Sequence, residues 1–142
     1  MSEIGAEVKR MAGEAALIVK DRTGKAPDFS ERSLAAIEGT LDEASRYFAD
    51  LPEDQAIKIV QYFGCYLLEV AHRQFGGTYL WHEQRDQPVL VVGEPKFHVA
   101  IITWDKVRGR LRGDKADNVS FFFDGFAQRV RRAEPGVRAQ YA

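Results

Sequence analysis

The stretch QYFGCYLLEVAHRQFGGTYLW, residues 61–81, contains the change from helical to strand spacing on which the predicted fold depends. Its apolar residues up to Val70 recur every three or four positions, which predicts a helix with one buried face. Gly76 and Gly77 can adopt the left-handed backbone that ends a helix. The aromatic and β-branched residues that follow are typical of strands. The stretch therefore predicts a long helix packed against a sheet.

The start of this helix is indicated by DLPED, residues 50–54. Asp50 can cap the free backbone amides, Glu53 completes a capping box, and Pro52 suits a first helical turn. From there to the glycine pair the helix would be about 24 residues long. Its length and apolar content make it the predicted central helix of the fold.

Two helices are predicted before the central one. The helical spacing of Ile4, Val8 and Met11 continues to about residue 20 and predicts the first. We expect this helix and its loop, residues 1–27, to be peripheral, and to dock either on its own domain or on a second copy. Ser30 can cap the second helix, whose apolar stripe reaches Phe48.

After the glycines, TYLWHEQ, PVLVVG and KFHVAII predict a small antiparallel sheet of about three strands. Thr103 and Asp117 can cap two C-terminal helices, and residues 134–142 are expected to form a flexible tail. Three helices, three strands and two helices, in that order, predict a single α+β domain over residues 1–142.

Composition limits the class of protein. The 142 residues are 45% hydrophobic and 29% charged, which is typical of a folded domain with its own core. Cys65 is the single cysteine, so an internal disulfide and a multi-cysteine zinc site are excluded and a reducing compartment is favoured. The apolar run at residues 15–19 is too short to span a bilayer, and a secretory layout is missing. We predict a cytoplasmic protein that does not associate with a membrane.

Charge is unevenly distributed along the chain. Residues 1–103 have 11 Lys/Arg and 16 Asp/Glu, a difference of −5, whereas residues 104–142 have 9 and 5, a difference of +4. A basic end can approach an acidic protein or a phosphate backbone, although a solvated helix face is the commoner explanation. Because aromatic residues are not interleaved with the arginines, nucleic-acid binding is not predicted.

Three reactive side chains, Cys65, Glu69 and His72, lie together on the side of the central helix opposite its apolar stripe. They can form a solvated face on which Glu69 pairs with Lys58 or Arg73. They can also supply a Glu-x-x-His metal pair, though it occurs once, or a base–nucleophile pair of His72 and Cys65. The remaining interpretation is the specific prediction: Glu69 is buried, bonded to Arg73, a tyrosine hydroxyl or backbone amides, and locks the helix to the sheet.

Other candidate residues are aromatic or basic. Tyr79 and Trp81 follow the stripe and join it as tentative ligand-binding residues. Phe121 lies about 100° from the inward stripe of the last helix, so an exposed Phe121 would be an anchor for a partner or a dimer. Arg108 and Arg112 of the basic end are the other tentative partner-binding residues. The chain has neither a phosphate-binding glycine motif nor histidines at metal-binding spacing, so neither a metal nor a cofactor is predicted.

The central helix and the segment after it resemble a group of small uncharacterised bacterial α+β domains. Their helix has the form aromatic-Gly-x-Tyr-x-x-Glu-Val, followed by Gly-Gly-x-aromatic, a strand pair and a Val-x-x-Arg-Leu-x-Gly helix. The matching positions are Phe63, Gly64, Tyr66, Glu69, Val70, Gly76, Gly77, Tyr79, Trp81, Val107, Arg110, Leu111 and Gly113. The resemblance covers about residues 30–130 and implies a compact domain without a recognised active site. Some similar bacterial domains look like immunity or antitoxin partners that plug another protein's site.

Two classes of function remain open. The first is a non-enzymatic protein–protein interaction module of immunity or accessory type, which binds another protein, or a second copy, through a flat surface with an exposed aromatic residue. The second is a small-ligand or enzymatic domain with Cys65, Glu69 and His72 in a cleft between the central helix and the sheet. The missing catalytic signature favours the first.

Overall fold

The computed structural model describes residues 3–142, so the first two residues of the predicted first helix lie outside the described residues. The helices are α1 (Glu3–Thr23), α2 (Leu34–Ala44), α3 (Glu53–Phe75), α4 (Trp104–Leu111) and α5 (Val119–Arg131). The strands are β1 (Thr78–His82), β2 (Gln87–Val92), β3 (His98–Ile101) and β4 (Arg138–Tyr141). Three helices precede the sheet strands β1–β3 and two follow them, so the predicted α+β class is confirmed.

The sheet has one strand more than predicted. Its order is β1-β2-β3-β4, with antiparallel pairs within the predicted meander and a parallel pair between β3 and β4. Residues 138–141, expected to be part of a flexible tail, pair instead with the free edge of β3. Tyr141 anchors this strand, because its carbonyl accepts a 2.8 Å hydrogen bond from the Ile102 amide and its ring packs on Phe126. The short segment RAQY has too little apolar alternation to indicate a strand by itself.

Helix α1 packs along α3 of its own domain rather than lying at the periphery. Its buried residues Val8, Ala12, Ala15 and Val19 are spaced by four, three and four positions. Two of them are alanines, which let the two helix backbones approach closely. The covered side of α3 is the side that bears Cys65, so α1 closes the face that the sequence left open.

Helix boundaries differ from those predicted because other partners take the capping side chains. Ser30 accepts a hydrogen bond from the Ser33 amide in a turn before α2. Asp50 lies in a short 3₁₀ turn, and α3 starts after Pro52 without a side-chain cap. Asn118, and not Asp117, caps α5.

Thr103 shows the same competition and joins α4 to α3. Its hydroxyl donates a 2.6 Å hydrogen bond to the Gly64 carbonyl instead of capping α4. The Trp104 ring lies directly on Gly64, where a Cβ atom would be 2.3 Å from the Trp104 Cδ1 atom. Only glycine therefore allows α4 to dock on α3 in this way.

Arg110 belongs to the basic end, yet it is buried, with 3% of its surface exposed. Its Nε donates to Glu38 at 2.8 Å and its Nη2 donates to Asp42 at 2.6 Å, which ties α4 to α2. Burial works against the charged form, but the hydrogen bonds to Asp42 and Glu38 raise the pKa of Arg110. Part of the positive charge at the C-terminal end is thus paired with acidic residues inside the fold. The prediction of a solvated basic helix face is wrong for Arg110.

Two glycine-to-alanine variants should separate this contact from helix propensity. Gly64→Ala should lower the free energy of unfolding by about 1–3 kcal/mol, because the new methyl group displaces the Trp104 ring. Gly13→Ala, in α1, should instead raise it by up to about 1 kcal/mol, since apart from the neighbouring backbone of α1 no described atom lies within 4 Å of its Cβ position. Urea denaturation of both variants measures the difference; equal stability of the two would contradict the α3–α4 contact.

Candidate functional site

The stripe on α3 is covered, not solvated. Cys65 is 0% and Glu69 is 1% exposed, because α1 and β1 close over them, whereas the His72 side chain keeps 35% of its surface exposed. The predicted burial of Glu69 is confirmed, and the alternative of a solvated face is wrong for Glu69 and Cys65. The reason is tertiary, because the covering helix lies more than fifty residues away in sequence.

The Glu69 carboxylate is hydrogen-bonded to Tyr79, a residue of the sheet. The Tyr79 hydroxyl of β1 donates to Oε1 at 2.9 Å, and the His72 Nδ1 atom is 3.8 Å from the same oxygen. The Arg73 Nε atom is 3.6 Å from Oε2, which accepts no hydrogen bond from any described residue. A buried carboxylate with one close donor retains unused acceptor capacity. These contacts include the arginine and the tyrosine hydroxyl expected from the sequence.

Tyr79 acts as a donor here. Burial raises the pKa of Tyr79 well above its usual range, and the negative charge of Glu69 raises it further. The hydroxyl therefore keeps its proton at neutral pH and holds the carboxylate. The His72 ring lies against the Tyr79 ring at a centroid distance of 5.1 Å, which fixes both side chains beside Glu69.

Cys65 does not form the base–nucleophile pair considered above. Its Sγ atom contacts the Met11 Sδ atom at 3.7 Å, and His72 is directed to Glu69 and Tyr79 instead. Burial raises the pKa of the Cys65 thiol to about 12, which outweighs the opposing effect of the Trp104 indole N–H. At neutral pH the sulfur is thus a buried thiol and not a nucleophilic thiolate.

The five tentative ligand-binding residues divide between two cavities. One, of about 370 Å³, is lined by Glu69, His72 and Tyr79 together with Lys9 and is called the Glu69 cavity below. The other, of about 400 Å³, is called the tryptophan cavity. Its lining includes the two remaining candidates, Cys65 and Trp81, together with Trp104, Asp86 and residues of α1. The single cleft that the sequence suggested is therefore not formed.

The tentative partner-binding residues are on two helices. Phe121, in the first turn of α5, is 79% exposed, which fits the predicted anchor. Arg108 pairs with Asp105 at 3.2 Å, and Arg112 is exposed just after α4. Of the two basic candidates, Arg108 thus already has an acidic neighbour.

A further surface was missed by the sequence reasoning, and we call it the outer sheet face. It consists of Leu80, Val89, Val91, Ala100 and Ile102, in which Leu80 pairs with Val89 and Val91 pairs with Ala100 across the strands. Among the described residues, no helix contributes to this apolar cluster, yet four of the five side chains are only 1–8% exposed and Leu80 is the one that stays open, at 50%. The available signal was PVLVV in β2, because a continuous apolar run is typical of a strand covered on both faces.

The chain has no match among protein-family models, curated proteins or solved structures. Within residues 3–142, no three His, Cys, Asp or Glu side chains come together as a set that could hold a metal ion. No helix in the same range is long and apolar enough to cross a membrane.

Removing the Tyr79 hydroxyl tests how much its hydrogen bond to Glu69 stabilises the fold. Tyr79→Phe should lower the free energy of unfolding by about 1.5–3 kcal/mol, because it leaves the buried carboxylate without its close donor. Tyr47→Phe is the control: this tyrosine is 49% exposed, and its change should stay within about 0.5 kcal/mol. Chemical denaturation at pH 7 measures both, and similar stabilities would show that the Tyr79–Glu69 bond does not stabilise the fold.

The raised pKa of Cys65 gives a pH test with a definite sign. The folded protein keeps the thiol protonated up to about pH 12, whereas the unfolded chain loses the proton near its ordinary pKa of about 8.5. The stabilising contribution is complete below that value and is lost as pH rises. Between pH 8 and 10, wild type should lose about 2 kcal/mol more unfolding free energy than Cys65→Ala. Parallel losses in the two proteins would contradict a protonated, buried thiol.

Proposed function

We propose that this chain is a non-enzymatic protein–protein interaction module whose partner covers the outer sheet face. The observation that carries the proposal is that β2 is apolar on both of its faces, and that the outer cluster, itself 1–8% exposed, continues at its edge into the half-exposed Leu80. On one face Leu90 and Val92 belong to the main core, and on the other Val89 and Val91 form the separate outer cluster. A sheet that faces water on one side usually alternates apolar and polar residues.

Leu80 is the anchor of this surface. It is 50% exposed and stands next to Val89 on the adjacent strand, above a shallow depression of about 330 Å³. Complete burial of a leucine side chain contributes about 2 kcal/mol relative to exposure, so a partner that covers Leu80 gains free energy from this contact. His82, Glu83, His98 and Gln140 surround the depression and supply a polar rim.

The size of the surface favours a different polypeptide over a second copy of this chain. Stable homodimers bury large, strongly apolar interfaces, whereas non-obligate partners combine a small apolar centre with a polar rim. Here the exposed apolar centre is limited to Leu80 and the edges of its neighbours, and charged or polar residues lie immediately around it. We therefore expect the partner to insert an apolar side chain between polar contacts.

The exposed aromatic residue, the two arginines and the resemblance to bacterial domains are compatible with this proposed role. Phe121, with Arg108 and Arg112, would form a second contact for the same partner or for another one. The resemblance to small bacterial domains suggests an immunity or accessory role, and the single reduced cysteine is compatible with the bacterial cytoplasm. Charge selection is weaker than the sequence suggested, because Arg110 and Arg131 already pair with acidic residues of the first part of the chain.

The alternative, a small-ligand or enzymatic domain, takes a different form from the one predicted. Cys65 is a buried thiol in one cavity, while Glu69 and His72 line another, so the three side chains do not act on one substrate atom. The alternative thus becomes ligand binding at one of two separate cavities.

A pair of matched variants tests the proposed surface. Leu80→Asp places a charge in the outer sheet face, whereas Leu17→Asp makes the same change on α1, where leucine is similarly exposed, at 55%. Tagged forms would be produced in the native host and analysed by native mass spectrometry. Wild type and Leu17→Asp should carry a second polypeptide, and Leu80→Asp should retain at least about tenfold less of it. In the wild-type complex, hydrogen exchange should slow in β1 and β2.

Two outcomes would contradict the proposal. If Leu80→Asp keeps its partner as well as Leu17→Asp does, the outer sheet face is not the interface. If the bound polypeptide is a second copy of this chain that Leu80→Asp releases, the surface mediates self-association and the proposed hetero-partner is wrong.

A further inference from the structure

We propose that the tryptophan cavity binds a small organic cation, specifically an ammonium compound with methyl or methylene groups. The cavity lies between the first turns of α1, the middle of α3 and the β1–β2 turn. Its volume of about 400 Å³ lies within the range of small-molecule sites. The proposal does not depend on the proposed protein partner, since a protein can have both sites.

Two aromatic rings form one wall of the cavity. Trp81 of β1 is 43% exposed, and its ring meets that of Trp104 edge to face, at a centroid distance of 6.2 Å and an angle of 84°. The Trp81 Nε1 atom donates to the Asp86 Oδ1 atom at 3.2 Å, which holds the ring in place. The face of an indole ring attracts cations, and tryptophan is the best of the aromatic side chains in this respect.

The charged residues around the cavity favour a cation over an anion. Glu3, Glu7 and Asp86 line it, and none of the described lining residues is Lys, Arg or His. Glu7 pairs with Arg10, which is outside the lining, so part of its charge is neutralised. Asp86 remains as the carboxylate adjacent to the Trp81 ring. An anion would meet like charges here, whereas a cation would meet both a carboxylate and an aromatic face.

Trp104 completes the aromatic wall on its inner side. The residue is 9% exposed, and its Nε1 atom is buried beside the Cys65 sulfur, so this N–H offers no surface to a ligand. The indole rings and the carboxylates therefore recognise the ligand, without a hydrogen bond from Trp104. Ile4, Met11 and Pro88 provide the apolar surface for the ligand's methyl or methylene groups.

Choline is a small ammonium ion with methyl and methylene groups, so it is a suitable probe. Its neutral analogue 3,3-dimethylbutan-1-ol has the same shape and hydroxyl group but no charge. The chain has two tryptophans, so a proton–nitrogen correlation spectrum shows two indole signals, which Trp81→Phe assigns. Choline should shift both signals with a Kd on the order of 1 mM or below. The neutral analogue should bind at least about tenfold more weakly.

A charge variant and a matched control locate the site. Asp86→Asn removes the charge but keeps an oxygen for the Trp81 N–H, and asparagine tolerates the positive φ of 51° at this position. Glu83→Gln makes the same change in net charge, in the same turn but outside the cavity lining. Asp86→Asn should weaken choline binding about 5–10-fold, and Glu83→Gln by less than about twofold. Trp81→Ala should abolish it.

Three results would overturn the proposal. One is the absence of indole shifts at about 50 mM choline, which places any Kd far above the expected range. Another is equal binding of choline and its neutral analogue, which would make the cavity a site for apolar molecules. The third is equal weakening by Asp86→Asn and Glu83→Gln, which would mean that net charge and not this cavity attracts the cation. The same spectra verify that each variant is folded.

Discussion

The packing of α1 on the polar stripe of α3 is the contact on which the rest of the structure depends. Without α1, Cys65 and Glu69 would face water and α3 would be an ordinary amphipathic helix. With α1 in place, α3 is covered by a helix on one side and by the sheet on another, and a carboxylate lies in the interior. Burial of a carboxylate is costly unless it accepts hydrogen bonds, so the fold needs the hydrogen bond that the Tyr79 hydroxyl of β1 donates to it. One residue thus links helix packing to the position of the sheet.

The same packing determines the chemical character of the candidate residues. It makes Cys65 a protonated core residue and directs His72 to Glu69 and Tyr79. It also creates both cavities, since residues of the first half of α1 line each of them. The Glu69 cavity combines Lys9 with a carboxylate, while the tryptophan cavity combines carboxylates with indole rings. Two chemically different surfaces therefore arise from one helix-to-helix contact.

The two faces of the sheet have different roles. The inner face supplies Leu90, Val99 and Ile101 to the main core beneath α3 and the C-terminal helices. The outer face carries a second, smaller apolar cluster to which no described helix contributes. Val89, Val91, Ala100 and Ile102 are already buried in this cluster, whereas Leu80 stays half-exposed. The proposed protein-binding role therefore concerns Leu80 and the surface beside it.

The sequence by itself determined the types and order of the five helices and the first three strands, and the apolar side of each helix. Spacing at three and four residues identified α1 to α5, and alternation with the Gly76–Gly77 stop identified the change to strands. These features are local, because they follow from backbone geometry and side-chain direction. Only the tertiary structure decided which element covers the Cys65–Glu69 face, that Arg110 is buried against Glu38 and Asp42, and that residues 138–141 add a strand. Each of these depends on a partner distant in sequence, and a polar residue shows its burial only when that partner is in place.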